Sequence, residues 1–160
     1  MKKFLGLCIA ALLTLLSACG IFSDDDAAGE NEREPSPYET VNNFDGVTMN
    51  VKEGTVSSTG LTIVFENSSD KQGTYGEHFS LEETIEGSWY KVPDIVDGDY
   101  AFTDIGFGFG PSAKSEWTVE WEWLYGGLEA GEYRIVKDVL DFREAGDYDT
   151  YYLAAEFIIK

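Results

Sequence analysis

Short runs of alternating hydrophobic and polar residues fill the chain from about residue 45 to the end, and clusters of Gly, Asp, Ser and Asn separate them. In residues 61–66 every second side chain is large and apolar. The same period runs through residues 114–124, on Trp117, Val119, Trp121 and Trp123. A period of two is typical of a strand that buries one face. Because amphipathic helix patterns are scarce, the sequence predicts an all-β domain over residues 45–160.

Further runs complete a series of about seven predicted strands. They lie at residues 47–52, 79–85, 88–92, 131–140 and 151–159. The region 94–113 is predicted to be a loop that holds a short strand or a packed flap. Glu86-Gly87 between two runs indicates a hairpin, since Gly tolerates the positive φ of a tight turn. Turns at this spacing predict an immunoglobulin-like antiparallel Greek-key β-sandwich.

One local motif supports this topology. The segment Leu128-Glu129-Ala130-Gly131-Glu132-Tyr133 precedes the penultimate predicted strand and resembles the tyrosine corner of Greek-key sandwiches. In that arrangement Leu128 would plug the end of the core, Gly131 would make the bend, and the Tyr133 hydroxyl would bond to backbone a few residues upstream. The alternative is an ordinary turn followed by a core tyrosine.

The start of the chain has the three-part layout of a secretory signal peptide: two lysines, an apolar run over residues 4–16, and two small residues. The run is shorter than the roughly 20 residues that span a bilayer as a helix. Leu16-Ser17-Ala18-Cys19 resembles the bacterial lipobox, which implies cleavage after residue 18 and a lipid on Cys19. The expected product is a lipoprotein on the extracytoplasmic face of the cell membrane. A secreted protein whose Cys19 is incidental is the alternative.

Cysteine usage agrees with this expectation. Cys8 and Cys19 are the two cysteines of the chain. Cys8 would leave with the signal peptide, and Cys19 would carry the lipid. The mature chain would then have no disulfide, so its stability must come from a buried core.

Residues 19–44 are predicted to be the lipidated cysteine followed by a disordered acidic tether. They are rich in Asp, Glu, Asn, Ser and Pro, and almost no large aliphatic residue lies between Phe22 and Val41. Such a composition buries too little apolar surface to offset the entropy cost of ordering it. The run Asp24-Asp25-Asp26 is consecutive, so its side chains do not converge on a metal ion, and a solvated spacer is the better interpretation.

The formal net charge of −19 narrows the choice of partners. Nucleic acid requires a basic surface, so it is not an expected partner. Anionic membrane surfaces attract basic segments, so the folded part is expected to stand away from the bilayer. A basic partner, bound cations and solubility alone stay open as reasons for the charge.

The domain also resembles a family of bacterial immunoglobulin-like domains found in lipoproteins and surface proteins of Gram-positive bacteria. The resemblance covers roughly residues 45–160. It rests on Val47-Thr48-Met49, Gly60-Leu61-Thr62, Phe65-Glu66-Asn67, Tyr75-Gly76, Trp117-Thr118-Val119 and Gly131-Glu132-Tyr133-Arg134-Ile135. These motifs are structural, so the resemblance implies fold and compartment and no catalytic activity.

Residue types suited to catalysis or metal binding are sparse. His78 is the only histidine, and it lies on the phase opposite Phe79 and Leu81, so it is predicted to be exposed. There is no Gly-x-Ser-x-Gly elbow, and one histidine cannot form a histidine metal cluster. Asp97-Gly98-Asp99 and Asp147-Tyr148-Asp149 offer oxygen ligands for calcium, but turn formation explains both segments equally well. We therefore predict no enzyme, no cofactor and no metal site.

Non-catalytic binding is the predicted function, with an unknown extracytoplasmic protein or cell-wall component as partner. Trp123 and Tyr125, near the end of a predicted strand, are the candidate ligand surface, and with Trp121 they could form a stacking platform for wall sugars. Their alternation is equally typical of a core-facing strand. Two alternatives are a protease inhibitor that acts through loop 94–113 and a binder of cell-wall polysaccharide.

Overall fold

A computed structural model describes residues 33–160; the predicted signal peptide, Cys19 and the first part of the predicted tether lie outside the described residues. Residues 33–160 contain nine strands and one helical turn. In chain order these are β1 (Val47–Val51), β2 (Gly60–Asn67), β3 (Gly73–Tyr75), β4 (Ser80–Ile85), β5 (Ser88–Lys91), β6 (Phe107–Phe109), β7 (Lys114–Glu120), α1 (Glu122–Tyr125), β8 (Gly131–Glu144) and β9 (Asp147–Ile159). None of the described helices is long and apolar enough to cross a membrane.

The strands form two antiparallel sheets. The smaller sheet has the order β1-β2-β7. The larger sheet is built around β8, which pairs with β9 along one edge. Along its other edge, β8 pairs first with β4 and then with β3, through Ser80↔Val136 and Thr74↔Leu140. β5 and β6 complete this sheet by pairing with β4 and β3.

The two sheets bury their facing side chains in one core. Ile63 and Phe65 of β2 meet Ile135 of β8 and Leu153 of β9 in this core, and each of the four is fully buried. The Phe65 ring crosses between the sheets to Tyr75, with centroids 4.6 Å apart. Since alternate residues of both sheets point inward, the predicted immunoglobulin-like sandwich is confirmed.

The helical turn α1 replaces the end of a predicted strand. The period-two pattern predicted a strand over residues 114–124, but β7 ends at Glu120 and residues 122–125 are helical. Trp121 and Leu124 are both fully buried, which is a spacing of three rather than two. The Trp121 Nε1 donates to the Ser58 carbonyl at 2.9 Å. The chain therefore folds over the end of the sandwich, and Trp123 faces outward.

The turn between β4 and β5 agrees with the prediction from Glu86-Gly87. Glu86 and Gly87 both have positive φ, of 52° and 81°. Positive φ at both central positions is the geometry of a type I′ turn, which matches the twist of a two-residue hairpin. The predicted hairpin is confirmed.

Residues 34–44 pack against the domain and are here called the N-terminal strap. The prediction of a disordered tether is therefore wrong for these residues. At one end the Lys91 amide donates to the Glu34 carbonyl at 2.8 Å, beside the free edge of β5. At the other end the Asn42 amide donates to the Tyr152 carbonyl on β9, at 2.6 Å. Phe44 is 2% exposed and belongs to the core. A few well-placed side chains thus outweigh the polar average composition of the segment.

Candidate functional site

A cluster of exposed and partly buried apolar side chains lies where α1 meets the loop after β5. It consists of Ile95, Tyr100, Phe102 and Trp123, and is here called the aromatic surface. Trp123 is 50% exposed, Tyr100 is 41% exposed and Ile95 is 63% exposed. The Trp123 ring makes edge contacts with Tyr100 and Phe102, at centroid distances of 5.9 and 5.7 Å. The structure thus brings one predicted ligand residue, Trp123, against the predicted loop 94–113.

Backbone and ring contacts hold this loop in place although it contains little regular structure. The Ile95 amide donates to the Leu124 carbonyl of α1 at 2.8 Å. The Phe102 ring packs edge-on against the Phe79 ring, with centroids 5.8 Å apart. The Tyr100 hydroxyl donates to the Asp94 carboxylate at 3.2 Å. These contacts hold Tyr100 and Phe102 in place on the surface of the domain.

Tyr125, the second predicted ligand residue, occupies a different environment. Its ring packs against Phe79 at a centroid distance of 6.0 Å and is only partly accessible. Burial raises the pKa of the Tyr125 hydroxyl to about 12. Because α1 rotates successive side chains by about 100°, Trp123 and Tyr125 do not share one face as they would on a strand. The exposed part of the pair is Trp123.

The loop that carries Tyr100 and Phe102 is acidic. The loop contributes Asp94, Asp97, Asp99 and Asp104, and no Lys or Arg occurs between Lys91 and Lys114. Lys91 is paired with Glu34, and Lys114 is paired with Glu66. The local field around the exposed rings is therefore negative.

The two candidate calcium segments have other structural roles: one forms a bend of the backbone, and the other forms ion pairs with Arg143. The chain bends between Asp97 and Asp99, where Gly98 has a φ of 95° that glycine adopts readily. Arg143 lies 2.6 Å from Asp147 and 3.1 Å from Asp149, so one guanidinium pairs with both carboxylates. Across residues 33–160, no group of three or more His, Cys, Asp or Glu side chains is arranged to hold a metal ion.

The segment before β8 has the contacts of a tyrosine corner. The Tyr133 hydroxyl donates to the Glu129 carbonyl at 3.1 Å, and its ring stacks on Phe157 with centroids 5.8 Å apart. Leu128 is buried at the end of the core. A Cβ on Gly131 would lie 3.0 Å from the Tyr133 ring, so the glycine is needed to make room for this ring. Gly131 does not have positive φ, so the predicted role of Gly131 in making the bend is wrong.

A comparison with protein families decides the classification. The family model described as a bacterial Ig-like domain matches residues 43–158, which is most of the chain. The chain belongs to the bacterial Ig-like domain family. No curated protein matches it, and no solved structure matches it. The matched range begins with the last residues of the strap and includes the aromatic surface and the tyrosine corner.

The Ig-like domain also contains a polar cluster that the sequence analysis did not identify. Lys137 on β8 is fully buried, and its ammonium lies 2.7 Å from the Asp138 carboxylate. The His78 Nδ1 lies 3.4 Å from the same carboxylate oxygen. Burial would raise the pKa of Asp138, but hydrogen bonds from His78 and Lys137 outweigh it and hold that pKa well below its usual range. Burial lowers the pKa of Lys137.

A second buried ion pair lies on the outer face of the larger sheet of the Ig-like domain. The Arg134 Nε donates to the Glu82 carboxylate at 2.6 Å, and Glu82 is fully buried. The Arg134 guanidinium also donates to Ser36 of the strap, and it lies over the Trp89 ring, 4.5 Å from its centroid. The strap thus covers charges that a solvent-facing sheet surface would expose.

Neither cluster has the layout of a nucleophilic active site. The hydrogen bond of His78 goes to Asp138, which orients the imidazole but supplies no hydroxyl or thiol. Lys137 and Asp138 neutralise each other, and Arg134 and Glu82 do the same. Ig-like domains of this family are typically non-catalytic, and the clusters have the character of structural ion pairs.

Proposed function

We propose that this Ig-like domain is held outside the membrane by a lipid on Cys19 and binds a partner protein, without catalysis, through the aromatic surface. The observation that carries the binding part is the exposed, pre-positioned cluster of Tyr100, Phe102 and Trp123. The anchoring part rests on the sequence around Cys19.

Burial of acyl chains in the bilayer supplies the energy that would hold the anchor. Each buried methylene contributes about 0.8 kcal/mol, and two chains hold a protein stably where one holds it marginally. A diacylglycerol on Cys19 supplies two chains. The acidic residues that follow Cys19 keep the domain away from an anionic bilayer surface, because like charges repel.

The aromatic surface has the residue types that are typical of interface hot spots. Tryptophan and tyrosine dominate binding energy at protein interfaces because they bury much area at a small entropy cost. Here the rings are already fixed by edge contacts with one another. The acidic rim formed by Asp94, Asp97, Asp99 and Asp104 complements a partner that presents lysines or arginines around an apolar patch.

The anchor is tested with Cys19→Ala in a bacterial host that lipidates proteins. Wild-type chain is expected to incorporate metabolic fatty-acid label and to partition into a detergent phase. Cys19→Ala is expected to lose both properties. Cys8→Ala is the matched control, since the proposal gives Cys8 no lipid. Label that stays on Cys19→Ala would contradict the anchor.

The binding surface is tested by photo-crosslinking on intact cells with the full-length chain. A photoreactive phenylalanine analogue replaces Tyr100 in one variant and Tyr148 in a control, because both tyrosines are about equally exposed. A protein adduct is expected from position 100, and its yield should fall with Trp123→Ala but not with Phe142→Ala. High salt should also lower the yield, since it screens the acidic rim.

Three other outcomes would overturn the assignment of this surface. Equal yield from position 148 would indicate non-specific capture, and an adduct that is insensitive to Trp123→Ala would place the interface elsewhere. An adduct with a protease whose activity is lost on binding would instead favour the inhibitor alternative through loop 94–113.

A further inference from the structure

A cleft of about 650 Å³ lies between the N-terminal strap and the outer face of the larger sheet. Its size is within the range of roughly 300–1,000 Å³ that is typical of ligand sites. The strap forms one wall, and side chains from the β3–β4 connection, β8 and β9 form the other. The lining residues are Pro37, Tyr38, Glu39, Thr40, Asn43, His78, Asp138, Thr150 and Tyr152.

Two tyrosine rings provide the apolar part of this cleft. Tyr38 from the strap and Tyr152 from β9 lie with ring centroids 5.1 Å apart and planes inclined by 54°. The Tyr38 hydroxyl is within 3.0 Å of the Ser80 hydroxyl, which fixes its ring over the sheet. Rings held in this way offer a face to the C–H groups of a ligand ring without losing rotamer freedom on binding.

The polar side chains of the cleft are also held in place. The Asn43 Oδ1 accepts from the Tyr152 amide at 2.9 Å, which leaves the NH₂ group of Asn43 as its donor toward a ligand. Asp138 is fixed from behind by Lys137 and His78. Thr40 and Thr150 add hydroxyl groups that both donate and accept.

The charge of the lining selects against ionic ligands. No Lys or Arg lines the cleft, so an anion would meet the Glu39 carboxylate without a cation to hold it. Asp138 is already neutralised by the buried Lys137, which leaves one uncompensated carboxylate and little attraction for a cation. A purely apolar ligand would leave the amide, hydroxyl and carboxylate groups unpaired.

We propose that this cleft is a binding site for a neutral oligosaccharide. A sugar ring has C–H faces that fit the two tyrosines and hydroxyl groups that fit Asn43, Asp138 and the threonines. The site is distinct from the aromatic surface, because Tyr152, Thr150 and the strap take no part in that surface. The strap is essential to it, since five of the nine lining residues belong to the strap.

The test uses the chain starting at Gly20, which retains the whole core of residues 44–157. Isotope-labelled protein is titrated with three neutral trisaccharides, cellotriose, maltotriose and chitotriose, and with the anionic trigalacturonate. At least one neutral trisaccharide is expected to give saturable NMR shifts at the amides of Thr40, Asn43, Thr150 and Tyr152. Trigalacturonate is expected to give none.

Variants on β9 show whether the tyrosine platform is responsible. Tyr152→Ala is expected to weaken binding by about 3- to 10-fold, the usual value of one aromatic contact, and Tyr152→Phe should retain it. Tyr148→Ala, on the same strand but exposed and outside the cleft, is the matched control. Should Tyr152→Ala fail to fold, the shift map of the wild-type chain decides the question.

Several results would overturn the proposal. One is the absence of saturable NMR shifts with every neutral trisaccharide, and another is tighter binding of trigalacturonate than of the neutral sugars. A third is a loss of affinity in Tyr148→Ala equal to that in Tyr152→Ala. The last is a set of shifted amides centred on Trp123. The last result would move carbohydrate binding to the aromatic surface and would contradict the protein-partner assignment there as well. If no saccharide binds in the cleft but the photo-crosslink at position 100 still forms, the cleft proposal is wrong and the protein-partner assignment of the aromatic surface is unaffected.

Discussion

Two buried cations on β8 differ in what their removal would leave behind. Arg134 pairs with Glu82, which is fully buried, whereas Lys137 pairs with Asp138, which keeps contact with solvent and with His78. An uncompensated carboxylate in the interior is strongly unfavourable, while a carboxylate at the surface is solvated. The two positions therefore provide a matched pair for testing buried charge in one strand.

Arg134→Met is expected to cost about 3–5 kcal/mol in the free energy of unfolding, because it leaves Glu82 buried without its cation. Lys137→Met is expected to change it by less than about 1 kcal/mol or to stabilise, because an apolar side chain replaces a buried ammonium. Chemical denaturation of both variants measures the difference. Equal losses would show that Asp138 depends on Lys137 as strongly as Glu82 depends on Arg134.

Acid should remove the contribution of Asp138 to stability. The folded-state pKa of Asp138 lies below its ordinary value, so its contribution is complete above the unfolded-state pKa of about 3.9 and is lost as pH falls through the folded-state pKa. Wild type is expected to be more stable than Asp138→Asn at pH 7, and the gap should narrow below about pH 4. Urea titrations of both proteins over this pH range measure the difference in their free energies of unfolding. A difference that stays constant with pH would contradict the prediction.

The hydroxyl of Tyr133 is the third residue-scale test. Tyr133→Phe keeps the ring on Phe157 and leaves the Glu129 carbonyl without its donor. The expected cost is about 1–3 kcal/mol, which lowers Tm by roughly 4 degrees per kcal/mol. Leu128→Ala should cost about 2–5 kcal/mol because it also opens a cavity. Tyr148→Phe is the control and should melt like wild type, whereas near-wild-type melts of Tyr133→Phe and Leu128→Ala would mean that the corner carries no stability.

Among the elements, the N-terminal strap covers parts of two edges of the larger sheet, at β5 and β9. Residues 34–36 lie along β5, through the Ser36 amide to the Trp89 carbonyl. Asn42 bonds to Tyr152 and Ala154 on β9 at the opposite edge. Free edges pair with other chains, so covering them protects the domain from aggregation.

Removing the strap should therefore destabilise the domain. A chain starting at Asp45 loses Phe44 from the core, and loss of a buried phenylalanine side chain costs about 3–5 kcal/mol. Its Tm is expected to fall by more than about 10 degrees relative to a chain starting at Glu32. Light scattering should also show association through the uncovered edges. Equal melting of the two chains would show that the strap contributes nothing to stability.

At the scale of the whole molecule, the net charge of −19 opposes folding through repulsion among carboxylates. Salt shortens the range of this repulsion from about 30 Å at 0.01 M to about 3 Å at 1 M. It equally weakens surface ion pairs such as Lys52–Glu116, but exposed pairs contribute little. Repulsion among the carboxylates therefore affects stability more than the surface ion pairs do.

Sodium chloride is consequently expected to raise Tm. The increase should be monotonic between about 0.01 M and about 1 M, the range over which screening becomes nearly complete. Scanning calorimetry of the chain starting at Gly20 measures it, and sucrose provides a control that stabilises without screening. A fall in Tm with salt would mean that the ion pairs outweigh the repulsion.

The period of the hydrophobic residues predicted most of this fold, because in a strand with one solvent-exposed face every second side chain is buried. It was misleading at residues 121–125, where an alternation of aromatic residues was compatible with two backbone conformations. β2 begins at Gly60, opposite Glu120, so the chain after Glu120 has no strand partner there, and burial of Trp121 and Leu124 favours a helical turn. Composition was misleading at the strap, because an average over 26 residues conceals the few side chains that pack.

The sandwich, the β4–β5 hairpin and the residue pattern of the tyrosine corner could be predicted from the sequence, since the strand pattern, the turn and the corner each depend on residues close together in the chain. The aromatic surface, the strap and the cleft could not, because each forms only when distant segments pack together. His78 meets Asp138, and Asn42 meets Ala154, across long separations in sequence that carry no local pattern. Exposure of Trp123 and burial of Lys137 likewise depend on which elements pack around them, and that is settled when the two sheets close on one core.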